Sequence, residues 1–244
     1  MARYVLKFGG SSVADPKKLY AAAQKLAALH RAGHQVIGVL SAQGGATDAL
    51  LAKAREIDPD CGGRELDALL ATGEQCSVCL CAIALQRLNI SAVSLSGWQA
   101  GIRTENRFSD AQVIGLNNDR IERELNAGKI VLVTGFQGVN DDGDITTLGR
   151  GGSDTTAVAL AAFLQADFCK IYTDVDGVYS ADPRAEPDAV KYSMISYDDM
   201  LALARSGARV LHDRCVELAK QQHVKIEVLS ASGHLPGTIV TDGA

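Results

Sequence analysis

The stretch from Ile145 to Arg184, ITTLGRGGSDTTAVALAAFLQADFCKIYTDVDGVYSADPR, constrains the fold more than any other part of the chain. It reads as a Gly-rich loop, an apolar helix, a buried strand and a carboxylate-rich loop. Glycines let backbone N–H groups approach an anion closely, and a helix N-terminus carries partial positive charge. Arg150 adds a planar fork suited to a carboxylate or a phosphate. The strand Phe168–Tyr172 runs into Thr173-Asp174-Val175-Asp176-Gly177. Ligands of α/β sheets bind at the carboxyl ends of strands, so this loop is well placed for a site.

The same alternation extends along most of the chain. Strands are predicted at Tyr4–Phe8, Gln35–Leu40, Ala92–Leu95, Lys129–Thr134 and Lys225–Leu229. Helices are predicted from Pro16 to about Arg31, from about Thr47, over Arg64–Leu88 with a junction near Thr72-Gly73, and over Asn117–Asn126, Tyr197–Arg205 and Leu211–Gln222. Pro16 at a helix start and Gly33 after its end follow the usual asymmetry of helix termini. Ser96–Thr104 is read as a loop, and Asn140–Asp144 has hairpin-turn composition. Alternating strands and helices favour a mainly parallel sheet covered on both faces. No low-complexity linker and no internal repeat divides the chain, so a single domain with two functional lobes is expected.

Composition narrows the function. The 244 residues carry a formal charge of −5 and no basic run, which argues against a nucleic-acid surface. No apolar run approaches the about 18 residues needed to cross a bilayer, and no basic-plus-apolar leader precedes the first strand. Six cysteines lie mostly in apolar patterns and do not read as a secreted disulfide framework. A cytoplasmic protein follows as the expectation. Cys76-Ser-Val-Cys79 with Cys81 has a metal-like spacing, but it lies in an apolar helical run and is read as core packing.

Three strand-to-turn junctions hold glycine pairs: Gly9-Gly10, Gly44-Gly45 and Gly151-Gly152. With Lys7 and Arg150 beside two of them, they look like main-chain loops converging on phosphates. There is no P-loop and no dinucleotide fingerprint. Lys7 ends the first strand, either as a solvated lysine or as a charge for a phosphoryl group in flight. Asp154 sits just inside a helix start, where it can cap or orient neighbouring cations. Asp174, Asp176 and Asp182 could form a metal cluster, and a solvated turn serves equally for Asp176. Magnesium in nucleotide sites is often held by phosphates and water, so no dedicated protein cage is required. His212 is read as a packing or capping residue.

These segments together resemble the catalytic domain of aspartate kinases, in the amino-acid-kinase superfamily. The matching pieces are KFGGSSVAD (7–15), VLSAQGGATDALL (39–51), ELDALLATGEQ (65–75), SLSGWQAGI (94–102), TGFQGV (134–139), the 145–184 stretch and GARVLHDRCVELAK (207–220). They fall in family order over nearly the whole chain. The resemblance implies an α/β/α sandwich around an eight-stranded, mostly parallel sheet. It implies an amino-acid side on a lobe of about 1–145 and a nucleotide side on about 146–244. The implied reaction moves the γ-phosphoryl of MgATP onto the side-chain carboxylate of L-aspartate, giving 4-phospho-L-aspartate. The ion would be held mainly by the nucleotide.

Roles carry over by position. Lys7, Asp154 and Arg209 would be catalytic. Ser41, Thr47, Glu74, Arg150, Gly151 and Ser153 would bind the amino acid, Glu74 taking its ammonium and Arg150 its α-carboxylate. Lys7, Gly9, Gly10, Ser11, Thr173, Asp174, Tyr179, Asp182, Arg184 and Arg209 would hold the nucleotide. A homodimer is also implied. Two departures stand out. The family's usual G-A-K-V-L-H-P reads Gly207-Ala208-Arg209-Val210-Leu211-His212-Asp213 here. Family members also usually continue into ACT regulatory domains, whereas this sequence stops at Ala244, as a short form or as part of a longer chain. Without those domains, lysine or threonine feedback is not expected. Two other readings follow from the same residues: a relative with a different acceptor, and a non-catalytic nucleotide- or metabolite-binding subunit.

Overall fold

The computed structural model describes residues 1–181, Glu186, 188–208, 210–233 and 235–243. The chain begins β1 (Arg3–Phe8), α1 (Pro16–Arg31), β2 (Gln35–Leu40), α2 (Ala46–Ile57), α3 (Gly63–Leu70), α4 (Thr72–Arg87) and β3 (Ala92–Leu95). It continues β4 (Ile102–Thr104), β5 (Val113–Leu116), α5 (Asp119–Asn126), β6 (Ile130–Thr134), β7 (Gln137–Val139), β8 (Ile145–Thr147) and α6 (Gly152–Phe163). It ends β9 (Phe168–Thr173), β10 (Met194–Ser196), α7 (Tyr197–Arg205), α8 (Asp213–Gln221), β11 (Ile226–Ser230) and β12 (Thr238–Thr241).

Successive strand residues point to opposite faces of a sheet. Here both faces are apolar, so the central strands read as continuous Val/Ile/Leu runs rather than as alternations. Val5, Val39, Val133 and Ile171 join one core cluster; Leu6, Phe8, Leu40 and Leu132 join the other. Helices α1 and α4 cover the second cluster, and α5, α6, α7 and α8 cover the first. The result is a three-layer α/β/α sandwich. Its sheet has eight strands in the order β10-β12-β11-β9-β1-β2-β6-β3. Only the β11–β12 pairing is antiparallel.

This order creates a switch point. From β1 the chain moves one way to β2, β3 and β6, then returns to lay β9 on the other side of β1. The connections diverge there, and the strands' carboxyl ends are left open to a ligand.

A second sheet, β5-β4-β7-β8, flanks that end. Sequence patterning read β4 as loop and missed β5, because strands of three or four residues show too few alternations. Buried Asp67 of α3 pins this sheet. Its carboxylate accepts from Ser109 N at 2.8 Å, Thr147 N at 2.6 Å and Ser109 Oγ at 3.2 Å. Removing it strands two backbone donors, each costing about 1–3 kcal/mol. Asp67→Ala is therefore expected to lower unfolding stability by about 3 kcal/mol. A urea midpoint unchanged from wild type would contradict that role.

Two expectations about α4 need correction. The helical run Gly63–Arg87 is long and apolar enough by composition to cross a membrane, with a mean hydropathy of 1.6 in its best window. Half of that window is buried inside the fold, where Val78, Cys81, Ala82 and Leu85 join the core, as in a core helix of a globular domain. Cys76 and Cys79 are exposed, and only Cys81 of that trio is buried. The helix is apolar nearly all round, so periodicity could not tell its solvent face from its core face.

Candidate active site

A cleft of about 500 Å³ opens at the carboxyl ends of β1 and β2. Lys7 reaches it because of strand parity. Phe8 and Leu6 point into the α1/α4 layer, so Lys7 points toward α6. Its Nζ lies 2.6 Å from Asp154 Oδ1, in the first turn of α6. The side chains are only 10% and 12% exposed, so little water screens the pair. The approach is a close charge contact without the alignment of a hydrogen bond. No side chain caps the α6 N-terminus, so its partial positive charge also faces the cleft.

The loops after β1 and β2 are stitched together. Gly44 N donates to Gly10 O at 3.1 Å, and Ser41 N donates to Phe8 O at 3.1 Å. A Cβ on Gly10 would stand 2.7 Å from Ala42 O, so only glycine allows this approach.

Glu74 enters from the first turn of α4 and is 3% exposed. Its Oε1 accepts from Ala42 N at 3.0 Å, while Oε2 has no partner among the described residues. Burial pushes its carboxyl up to about 7; the Ala42 hydrogen bond opposes the rise without cancelling it. A buried carboxylate oxygen without a donor is costly, and a cationic ligand would remove that cost.

Arg150 is exposed where it lines the cleft, between Gly149 and Gly151. Both glycines have left-handed backbones, at φ 71° and 67°. A Cβ on Gly151 would also lie 2.3 Å from His212 Cβ. Gly151→Ala therefore meets both a steric and a conformational barrier, and is expected to cost about 2–3 kcal/mol and to displace Arg150. A thermal midpoint matching wild type would show that the loop is not held in this form.

The structure brings together ten of the residues expected at the site. Lys7, Gly9, Gly10, Ser41, Thr47, Glu74, Arg150, Gly151, Ser153 and Asp154 all line the one cleft. Ser11 does not line it; it is exposed in a short turn after β1. Thr173, the last residue of β9, and Asp174 and Tyr179 beyond it also lie outside its lining. There Thr173 Oγ1 donates to Asp174 Oδ1 at 3.0 Å and Tyr179 OH to Asp176 Oδ1 at 3.0 Å. Asp182, Arg184 and Arg209 fall outside the described residues. Asp176 pairs with Lys191 Nζ at 2.9 Å, and the described residues hold no cluster of His, Cys, Asp and Glu able to cage a metal. His212 occupies the N-cap position of α8 without a side-chain cap, its ring carbon packed over Gly151. Ala42, Phe136, Gly149 and Gly152 also line the cleft and were not singled out as site residues. Phe136 lies in the TGFQGV motif and has a left-handed backbone at φ 70°, a strained conformation that no sequence pattern announces.

A mainly parallel sheet with a buried lysine at its switch point faces a glycine-fronted helix N-terminus, an arrangement suited to a small anionic ligand. The chain belongs to the amino acid kinase family, whose model matches residues 2–230. It is 50% identical to aspartokinase 2 of Bacillus subtilis (strain 168) over 99% of its own length and 59% of that protein. Among solved structures, aspartate kinase from Synechocystis superposes with a TM-score of 0.87 at 44% identity, covering 98% of this chain and 40% of that one. Aspartokinase III of E. coli, in complex with aspartate and ADP, also gives 0.87, at 28% identity over 99% of this chain and 65% of that one. The chain thus spans about three fifths of the length of such curated relatives.

Proposed function

We propose that this chain carries the catalytic domain of an aspartate kinase, transferring the γ-phosphoryl of ATP to the side-chain carboxylate of L-aspartate. The observation that carries this reading is the bipolar cleft. Glu74 offers a buried oxygen without a partner among the described residues for an ammonium, Arg150 a fork for an α-carboxylate, and Lys7 a buried charge beside the first turn of α6. An amino acid held by its two ends presents its side-chain carboxylate to the lysine.

The acceptor carboxylate is ionised at neutral pH, so the transfer requires no general base. One carboxylate oxygen attacks the γ-phosphorus as the bond to the β,γ-bridging oxygen breaks, and ADP leaves. The protein's task is positioning and charge compensation. Lys7 neutralises charge on the transferring oxygens, and Asp154 holds the lysine in place. Amides of the Gly9-Gly10 and Gly151–Ser153 loops would take further phosphate oxygens. Ser41 and Thr47 would contact the amino acid.

Magnesium would arrive as MgATP and lower the charge of the nucleotide. The donor set suits this, because a carboxylate already paired with Lys7 leaves the ion to phosphate oxygens and water. The segment beyond β9, with Thr173, Asp174 and Tyr179, and with Asp182, Arg184 and Arg209, would hold the rest of the nucleotide. The acceptor set thus spans both expected lobes, with Ser41, Thr47 and Glu74 in 1–145 and Arg150, Gly151 and Ser153 in 146–244, while the nucleotide's outer part would rest on 146–244. Leu80 and Ile83 of α4, with Trp98, are exposed apolar side chains suited to the homodimer interface the resemblance implies.

Trapping the acyl phosphate as a hydroxamate tests the acceptor. L-Aspartate is expected to yield hydroxamate with MgATP, and L-glutamate far less. Product from glutamate or another acceptor in preference to aspartate would overturn the assignment.

A further inference from the structure

Arg214 of α8 does not line the cleft, yet it is the side chain most heavily engaged with the loop that carries Arg150. Its Nη1 donates to Leu148 O at 3.0 Å, its Nη2 donates to Ala111 O at 3.0 Å, and its guanidinium pairs with the Asp110 carboxylate. One planar fork therefore joins three acceptors in two chain segments through two nitrogens held at a fixed separation, a geometry that a lysine's single ammonium does not reproduce. Leu148 is buried and lies two residues before Arg150.

The segment between them is pressed against the same turn. A Cβ on Gly149 would stand 2.9 Å from Asp110 Oδ1 and 3.2 Å from Ser109 O. On the far side, Asp67 grips Ser109 and Thr147. At the loop's other end His212, at the head of the same helix α8, packs over Gly151. The loop is thus held before Arg150 by Arg214 and after it by His212. Two left-handed glycines flanking an exposed arginine make a flexible mount, since glycine has the most backbone freedom to lose. A fixed anchor on each side removes that freedom before any ligand arrives.

We propose that Arg214, with Asp110 as its counter-charge, is a positioning residue for the acceptor end of the site: it acts through Leu148 to set where Arg150 stands. This rests on the reading of Arg150 as the clamp for the acceptor's α-carboxylate. Glu74 and Lys7 lie on other elements, and Asp154 lies within α6 beyond the point where His212 packs on Gly151, so loosening the mount at Leu148 acts first on acceptor binding and much less on phosphoryl transfer.

The test uses Arg214→Gln, Arg214→Lys and Asp110→Asn, with two readouts. The first is amide hydrogen exchange of the 148–152 segment in the unliganded protein, which needs no turnover. The second is steady-state kinetics with L-aspartate and MgATP varied separately. Arg214→Gln is expected to speed exchange in this segment and to raise the aspartate KM by about ten- to a hundredfold. The ATP KM and kcat are expected to stay within about threefold, with Arg214→Lys and Asp110→Asn intermediate. A residue serving only general stability would instead lower the thermal midpoint and the active fraction and leave the aspartate KM alone. Unchanged exchange at 148–152, or equal rises in both KM values, overturns the proposal. Faster exchange with an unchanged aspartate KM overturns it too. If wild-type protein turns over no aspartate, the acceptor reading itself fails, and the exchange experiment still decides whether Arg214 holds the loop.

Discussion

Lys7→Met is expected to lower kcat by about a thousandfold while leaving aspartate binding nearly intact. The lysine is the buried cation of β1 and touches Asp154; in the proposed pose the ends of the amino acid fall to Glu74 and Arg150 instead. In the proposed transfer it would lie where the charge of the incoming carboxylate, the transferring oxygens and the departing ADP converge, so its contribution falls on the transition state rather than on the ground state. A donor aimed at developing charge in a water-poor cleft is typically worth about 3–4 kcal/mol. Methionine matches the lysine stem in length and keeps its packing on the sheet, so the fold should hold. The substitution leaves Asp154 without its cation, and some loss of thermal stability should accompany the loss of rate. Asp154→Asn keeps the lysine but frees its position, and a smaller fall in kcat is expected. Calorimetric titration of aspartate separates the two effects. A Lys7→Met enzyme within tenfold of wild-type kcat would remove the lysine from the reaction.

Glu74→Gln is expected to raise the aspartate KM by about a hundredfold or more, and at the same time to stabilise the unliganded protein. The two effects share one cause. Burial lifts the Glu74 carboxyl from 4.5 to about 7, so the folded protein binds more protons than the unfolded chain between those values. Stability therefore falls as pH rises through that window, by about 3 kcal/mol in all, and the full cost is felt above neutrality. Glutamine carries no such charge, so the variant should lose this pH dependence and melt higher than wild type at pH 8. It also loses the charge that meets the substrate ammonium. In wild type, aspartate affinity should improve as pH rises through about 7 and Glu74 ionises. That dependence should vanish in the variant. Unchanged KM together with unchanged stability would show that Glu74 is a packing residue. This strain is consistent with a site whose stability is sacrificed for binding.

The layers of the fold were legible because both faces of β1, β2 and β6 are buried, and short Val/Ile/Leu runs between helical patterns mark such strands. The boundary between α3 and α4 was legible too, at Ala71 beside the expected Thr72-Gly73 junction. The small sheet was not, because Ile102–Thr104 and Gln137–Val139 hold three residues each, and their stability comes from Asp67 and from the buried Thr104–Thr146 hydroxyl pair at 2.6 Å. Those contacts join residues more than forty positions apart, which no local pattern records.

The site divides in the same way. Glycine pairs beside Lys7 and Arg150 announced the phosphate and anion loops, since few side chains suit those turns. The convergence of Glu74 on Ala42 could not be read from spacing, because it depends on α4 packing against the loop after β2. It came only from the family resemblance. The Arg214 clamp escaped notice altogether, since an arginine in an amphipathic helix carries no signal until its acceptors are known. Cys76 and Cys79 show the converse limit: an apolar neighbourhood in the sequence did not mean a buried one in space.

The most direct test of the account follows the phosphorus itself. Wild-type protein and Lys7→Met are incubated with MgATP and L-aspartate and observed by phosphorus NMR, with parallel samples lacking aspartate. The account predicts an acyl-phosphate resonance and ADP in the wild-type sample only, both dependent on aspartate and both suppressed by the substitution. ATP loss independent of aspartate, or an acyl phosphate formed equally by Lys7→Met, would contradict the claim that this cleft transfers a phosphoryl group to the amino acid under the control of its buried lysine.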